Sequence, residues 1–230
     1  MDNFMKAMKM YIRTAVRPIT LVFGLGVPIS MIAAMVADPA KQGEKDYGSM
    51  IACMGMMHAI LLILFFIGNI SISQMKFFGS LPQAKVLFTD VPIAAMGTVC
   101  LVFDIVTFAC AYIRCGSGMA ADLLIVDAAN TITACFLNAT MSKKIGKIYA
   151  VLSALIFVSF FNQMIILTRF SFINKGFGVT VPVAALIALA VYIVGFAAIH
   201  FFMQWWWKKS GRNYNNSYNL IAQNTTAGNA

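Results

Sequence analysis

Apolar residues gather into six long runs separated by short polar connections, near 19–37, 48–70, 91–113, 119–139, 148–168 and 179–203. A helix needs about 20 apolar residues to cross the hydrocarbon of a bilayer. The pattern therefore predicts an all-α integral membrane protein of six transmembrane helices. The first run reads as a span of the mature chain rather than a cleaved leader, because a charged segment precedes it and no small-residue cleavage site follows Ala37.

That preceding segment, residues 1–17, has helical periodicity. At about 100° per residue, Lys6, Lys9, Arg13 and Arg17 fall within roughly 80° of one another, and Phe4, Met5, Met8, Tyr11, Ile12 and Val16 take the other side. Such a helix is expected to lie in the headgroup plane, apolar face down, until Pro18 turns the chain into the bilayer. At the other end, residues 210–230 are Asn-rich, nearly uncharged and poor in apolar side chains, so disorder is expected there. The membrane domain thus occupies residues 1–209.

Composition supports the same solvent. Hydrophobic residues make up 60% of the chain and charged residues 11%, against roughly 25% charged in soluble domains. A soluble enzyme is excluded. The net charge of +9 does not mark a nucleic-acid binder, because the 17 Lys and Arg flank the apolar runs instead of forming one face. With the N-terminus in the cytoplasm, 12 of those 17 fall on inside segments, so the positive-inside rule places both termini on the cytoplasmic face of the plasma membrane. Trp205, Trp206 and Trp207, just before Lys208 and Lys209, read as an interfacial anchor. Cys53, Cys100, Cys110, Cys115 and Cys135 lie in or beside apolar runs without ligand spacing, and read as small buried hydrophobes.

The chain has no GxxxxGK[ST] phosphate loop, no HExxH and no GxSxG. Its one glutamate, Glu44, sits in a connection, so no paired-glutamate catalyst is available and neither enzymatic activity nor a resident metal or cofactor is expected. Three ionisable residues do fall near the centres of spans: His58, Asp104 and Asp127. A central Asp costs about 2.5–3.5 kcal/mol on insertion scales, so each should face protein or water. Two readings stay open for them, a translocation pathway or proton relay, and plain interhelical hydrogen bonding. Asn130, Asn162 and Gln163 are expected on the same interior surface.

The connection between the second and third spans, residues 73–90, has short apolar clusters split by Gly79 and Pro82. It predicts two short interfacial helices around a turn, the second carrying Val86, Leu87 and Phe88, with Asp90 capping the third span and Pro92 in its first turn. Lys76, Phe77, Phe78, Ser80, Leu81, Pro82 and Lys85 in this segment resemble the motif after the second span in permease subunits of bacterial type II ABC exporters. Gln83 and Ala84 depart from the apolar and hydroxyl pair usual there, and residues 169–178 are short for the re-entrant hairpin of many members.

The resemblance covers residues 1–209 and implies a transporter subunit without its own ATPase. It would pair with itself or a sister permease as a dimer, sit among membrane lipids, and couple through residues 76–85 to separate ABC ATPase subunits that bind ATP and Mg. Cargo of lipid, peptide or drug-like character is the expectation. The rivals are a proton-coupled secondary transporter or small channel built on His58, Asp104 and Asp127, and a non-transporting scaffold or immunity protein.

Overall fold

The computed structural model describes residues 2–15, 18–44, 46–74, 76–141 and 176–210, and the regular structure among them is helical throughout. The elements are α1 (Asp2–Ala15), α2 (Pro18–Ala37), α3 (Tyr47–Gln74), α4 (Lys76–Gly79), α5 (Ala84–Arg114), α6 (Ser117–Met141) and α7 (Val181–Ser210). Four of them, α3, α5, α6 and α7, are long and apolar enough to cross a membrane. The apolar part of α2, Leu21–Ala37, is shorter. The four coincide with the expected spans at 48–70, 91–113, 119–139 and 179–203, and α2 is a helix at the place of the expected span 19–37. The expected span at 148–168, with Asn162 and Gln163, and the tail beyond 210 lie outside the described residues.

Helix α6 stands at the centre, packed on α3, α5 and α7. Its small side chains make this possible: Ala120, Ala121, Ala128, Ala134 and Ala139 are buried, and they let three neighbours approach one axis. Helix α7 touches the bundle along a narrow stripe, Ala184, Ala188, Ile199 and Met203, while Leu186, Ile193, Val194 and Phe201 face outward and are exposed. Helix α5 likewise exposes Val102, Ile105 and Ile113. In water that much outward apolar surface would be a liability; against lipid tails it costs nothing, which agrees with the four spanning-length helices.

Cross-contacts fix the directions. Asp104 meets Thr131 on α6 and Tyr192 on α7, while Pro92 O meets Asn138 and Asp90 meets His200, so α5 runs antiparallel to both. Tyr47, His58 and Asn69 of α3 meet Asp122, Thr131 and Asn138 of α6 in the same order, so α3 and α6 are parallel. Helix α5 ends where Cys115 N and Gly116 N both donate to Ala111 O, at 2.8 and 3.0 Å. Gly116, at φ +99°, supplies the left-handed residue that closes the helix and lets α6 start at Ser117.

Two local expectations are corrected. Helix α5 is one unbroken helix from Ala84, with Leu87 N donating to Gln83 O at 2.9 Å. Asp90 is not its cap, and Pro92 lies well inside it. At 31 residues and 1.5 Å per residue it is about 46 Å long, longer than a hydrocarbon core of about 30 Å, so the segment carrying Val86, Leu87 and Phe88 is its own first turns. The second correction concerns α1. Its buried stripe is Ala7 and Tyr11 with Phe4 and Met8 beside them, packed on α3 and α5, whereas Met5 and Ile12 are exposed. Lys6, Lys9 and Arg13 stay outside, as the wheel requires.

Candidate functional site: a buried polar centre shared by four helices

Polar side chains in an apolar bundle must find one another, and here they do so at three levels along α6. At one end Tyr47 OH donates to Asp122 Oδ2, and Phe177 N donates to Asp122 Oδ1 at 3.0 Å, closing the chain ahead of α7 onto α6. At the other end, Asn69 Nδ2 donates to the Asn138 side chain and, at 3.1 Å, to its carbonyl. Asn138 Nδ2 donates to Pro92 O at 3.1 Å, and Tyr11 OH to Asn69 Oδ1 at 2.8 Å. Burial pushes the Tyr11 phenol well above its ordinary range, so it remains a donor. At 1.5 Å per residue, Asp122 lies about 13 Å from Thr131 along α6, and Thr131 about 10 Å from Asn138.

The middle level is the one that gathers ionisable groups. Asp104 of α5 accepts from three other helices: His58 Nε2 at 2.9 Å, Thr131 Oγ1 at 2.6 Å and Tyr192 OH at 2.7 Å. His58 Nε2 also lies 3.0 Å from Thr131 Oγ1. With oxygens on both sides, Nε2 is the donor nitrogen and the imidazole is held in one orientation. Asp127, one turn before Thr131 on α6, joins them: one ligand-capable atom from each of His58, Asp104 and Asp127 lies within 4.8 Å of the others. All three are buried, at 0, 4 and 1% exposure. The free thiols of Cys100 and Cys135 lie within hydrogen-bonding reach of each other beside this centre.

The level is incomplete. Among the described residues, the buried side-chain polar atoms without a hydrogen-bond partner are His58 Nδ1, Asp127 Oδ1 and Thr107 Oγ1. They come from α3, α6 and α5, and Thr107 lies one turn along α5 from Asp104. Burying such an atom unpaired costs about 1–3 kcal/mol, so three in one bundle call for an explanation. An imidazole and two carboxylates in this arrangement can hold protons or a cation.

The structure thus brings together His58, Asp104 and Asp127, as expected of neighbours in one interior, and buries Asn130 nearby. Asn162 and Gln163 lie outside the described residues. Sequence reasoning missed Thr131 and Tyr192, and the paired levels at either end. One signal was readable: Tyr47, His58 and Asn69 are each eleven residues apart, about three helical turns, and so share one face of α3.

The other predicted set, residues 76–85, sits where α3 hands over to α5 through α4. Phe77 is exposed and Phe78 buried; Ser80, Pro82 and Lys85 are exposed and Leu81 is half-buried. Ser80 Oγ donates to Phe77 O at 2.8 Å, and Gln83 Nε2 lies 3.3 Å from Met10 Sδ, tying the turn to α1. The side chain of Lys76 lies outside the described residues. Searches of family models, of curated proteins and of solved structures give no match to this chain.

Proposed function

We propose that this protein is a multi-pass membrane transporter in which the His58–Asp104–Asp127 centre takes up and releases protons as part of the transport cycle. One observation carries the reading: a carboxylate held by donors from three other helices, beside a second carboxylate with an open oxygen, at mid-depth in an apolar bundle. Intramembrane ionisable residues of this kind mark ion and proton pathways. Because α3, α5, α6 and α7 all contribute, a change of charge at Asp104 or Asp127 alters the bonds that hold four helices together, and that couples protonation to helix movement.

Six spans and cytoplasmic termini in the plasma membrane belong to the same proposal. The positive-inside asymmetry supports them, as does the position of Met141 and Gly176 at opposite ends of the bundle, beside Asn138 and Asp122 respectively. The test is reconstitution of the purified chain into liposomes with an imposed pH gradient and an internal pH dye. Proton movement in the wild type that is abolished in Asp127→Asn, with the variant still folded, supports the reading; equal rates in protein-free liposomes and in both proteins would sink it.

A second reading has its own observation. Phe77, Ser80, Pro82 and Lys85 form an exposed knob braced by α1, which suits contact with a separate ATPase in a dimeric, ATP-driven exporter. Lys85→Glu should then lower ATP hydrolysis of a co-purified ATPase subunit without changing insertion. Unchanged stimulation in that variant counts against it.

A further inference from the structure

We propose that the centre at His58 and Asp127 is a binding site for one divalent transition-metal ion, of the zinc, cobalt or manganese class. The inference rests on the preceding reading only in taking this centre as the functional one.

The argument begins with what the open atoms lack. His58 Nδ1, Asp127 Oδ1 and Thr107 Oγ1 are buried and unpartnered, and they come from three different helices. Carboxylate oxygen is only an acceptor, and imidazole nitrogen becomes one when it gives up its proton. Two such lone-pair donors, one nitrogen and one oxygen, are satisfied by a proton, by a water or by a metal ion, and a metal ion is the guest that takes lone pairs from both at once.

Charge makes the same demand. Asp104 and Asp127 together carry two negative charges when ionised, of which a protonated His58 offsets one through its pair with Asp104; the His200–Asp90 pair lies at the α1 end, too far to offset the other. Two buried anions are costly in hydrocarbon unless compensated, and one dication compensates both. The other groups facing the site are Tyr192 from α7, Thr131 and Cys135 from α6 and Cys100 from α5, none of which supplies positive charge.

Ligand chemistry narrows the class. Imidazole with carboxylate suits zinc, cobalt, iron and manganese better than magnesium or calcium, which prefer all-oxygen shells. Asp104 already has both oxygens engaged, Oδ1 by His58 Nε2 and Oδ2 by Thr131 and Tyr192. It therefore acts as the carboxylate behind the imidazole, orienting the ring so that Nδ1 is the free ligand, an arrangement common at metal-bound histidines. With two strong protein ligands among the described residues, His58 Nδ1 and Asp127 Oδ1, the site is open rather than closed as a four-ligand structural site is. Because bound ligands must be deprotonated, metal entry displaces protons from the same groups, so the ion and the protons of the proposed transport cycle compete for one place.

The test uses the full chain purified in detergent and stripped with a chelator, titrated with Zn²⁺ by calorimetry and with Co²⁺ by its visible absorption. The wild type should bind one ion per chain. Asp127→Asn and His58→Asn should each weaken binding more than about 100-fold, beyond the 10–100-fold typical of lost outer-shell partners. His200→Asn, which removes the exposed His–Asp pair as an adventitious site, should bind as the wild type does. Thermal unfolding of the metal-free proteins verifies that the variants are folded, and if Asp127→Asn is not, the Co²⁺ spectrum of the wild type and the His58→Asn titration still decide. No stoichiometric binding by the wild type, or unchanged binding in the folded variants, overturns the proposal. Proton movement in liposomes without metal binding removes this inference alone; stoichiometric metal binding by a chain that moves no protons removes the proton reading alone.

Discussion

Replacing Gly195 with alanine sets two effects of opposite sign against each other. Alanine is favoured over glycine in a helix interior by about 1 kcal/mol, and Gly195 lies in the middle of α7. But a Cβ at that position would stand 2.6 Å from Ile132 Cγ2 and 2.7 Å from Ile132 Cγ1 and Cδ1. Carbon atoms in contact sit about 3.5–4.0 Å apart, so α7 or Ile132 has to give by about 1 Å. Ile132 gives poorly, since Cγ1 and Cγ2 both hang on its Cβ and a β-branched side chain in a helix has one strongly preferred rotamer. Overpacking of this kind costs about 1–3 kcal/mol, which leaves a net destabilisation of about 0–2 kcal/mol once propensity is subtracted. The displacement also moves Tyr192, one turn away, from Asp104. A double-mutant cycle with Ile132→Ala, read by denaturant unfolding in mixed micelles, separates the terms: the pair should be more stable than the sum of the singles by about 1 kcal/mol or more. Gly26, whose added Cβ would meet nothing within 4 Å, is the control, and Gly26→Ala should stabilise by up to about 1 kcal/mol. If Gly195→Ala gains as much as Gly26→Ala and the cycle shows no coupling, the close α6–α7 approach is refuted.

Asp104→Ala removes the acceptor of three interhelical bonds; at about 0.6 kcal/mol each in membrane proteins it should destabilise by about 2 kcal/mol in the same unfolding assay, with Asp104→Asn losing less. Tyr47→Phe frees one side of Asp122, and amide exchange at Phe177, whose N–H bonds the other oxygen, should quicken while the mid-bundle amides do not change. A small membrane-permeant alkylating agent should modify the half-buried Cys53 and Cys110 in the folded protein and reach the fully buried Cys100 and Cys135 only on unfolding; mass spectrometry of the labelled peptides gives the order.

What the sequence made legible followed from period and hydropathy. Runs of apolar residues located the described spans, because length against the bilayer is a constraint no tertiary contact overrides. His58, Asp104 and Asp127 stood out because ionisable groups are rare inside such runs. Thr131 did not, since a threonine in a spanning helix ordinarily bonds back to its own preceding turn, as Thr89, Thr98, Thr133 and Thr140 all do. Thr131 instead gives its proton to Asp104, a choice made by the neighbouring helix. Asp90 shows the same limit: next to a proline and a polar connection it reads as a local cap, whereas its partners, His200 and Gln204, are more than a hundred residues away. For α1 the wheel separated cations from apolar residues, but only the packed structure distinguishes Ala7 and Tyr11, which touch protein, from Met5 and Ile12, which do not.

The three polar levels along α6 bear on whether the middle one is merely structural. Hydrogen bonding between spanning helices is enough to explain the end levels, where Asp122 is engaged at both oxygens and Asn138 both donates and accepts. If the middle level served only to join helices, the same economy would apply, and a serine, an asparagine or a second threonine could have closed it without an ionisable group. Instead the chain places two carboxylates and an imidazole there and leaves an atom of Asp127 and of His58 open. Each open atom is disfavoured by about 1–3 kcal/mol, and each carboxylate by a further insertion cost of about 2.5–3.5 kcal/mol. A bundle that completes its other two levels has no structural reason to retain that deficit in the third. The deficit is removed when a proton, a water or a cation enters, and this makes the middle level the place where the fold depends on something outside itself.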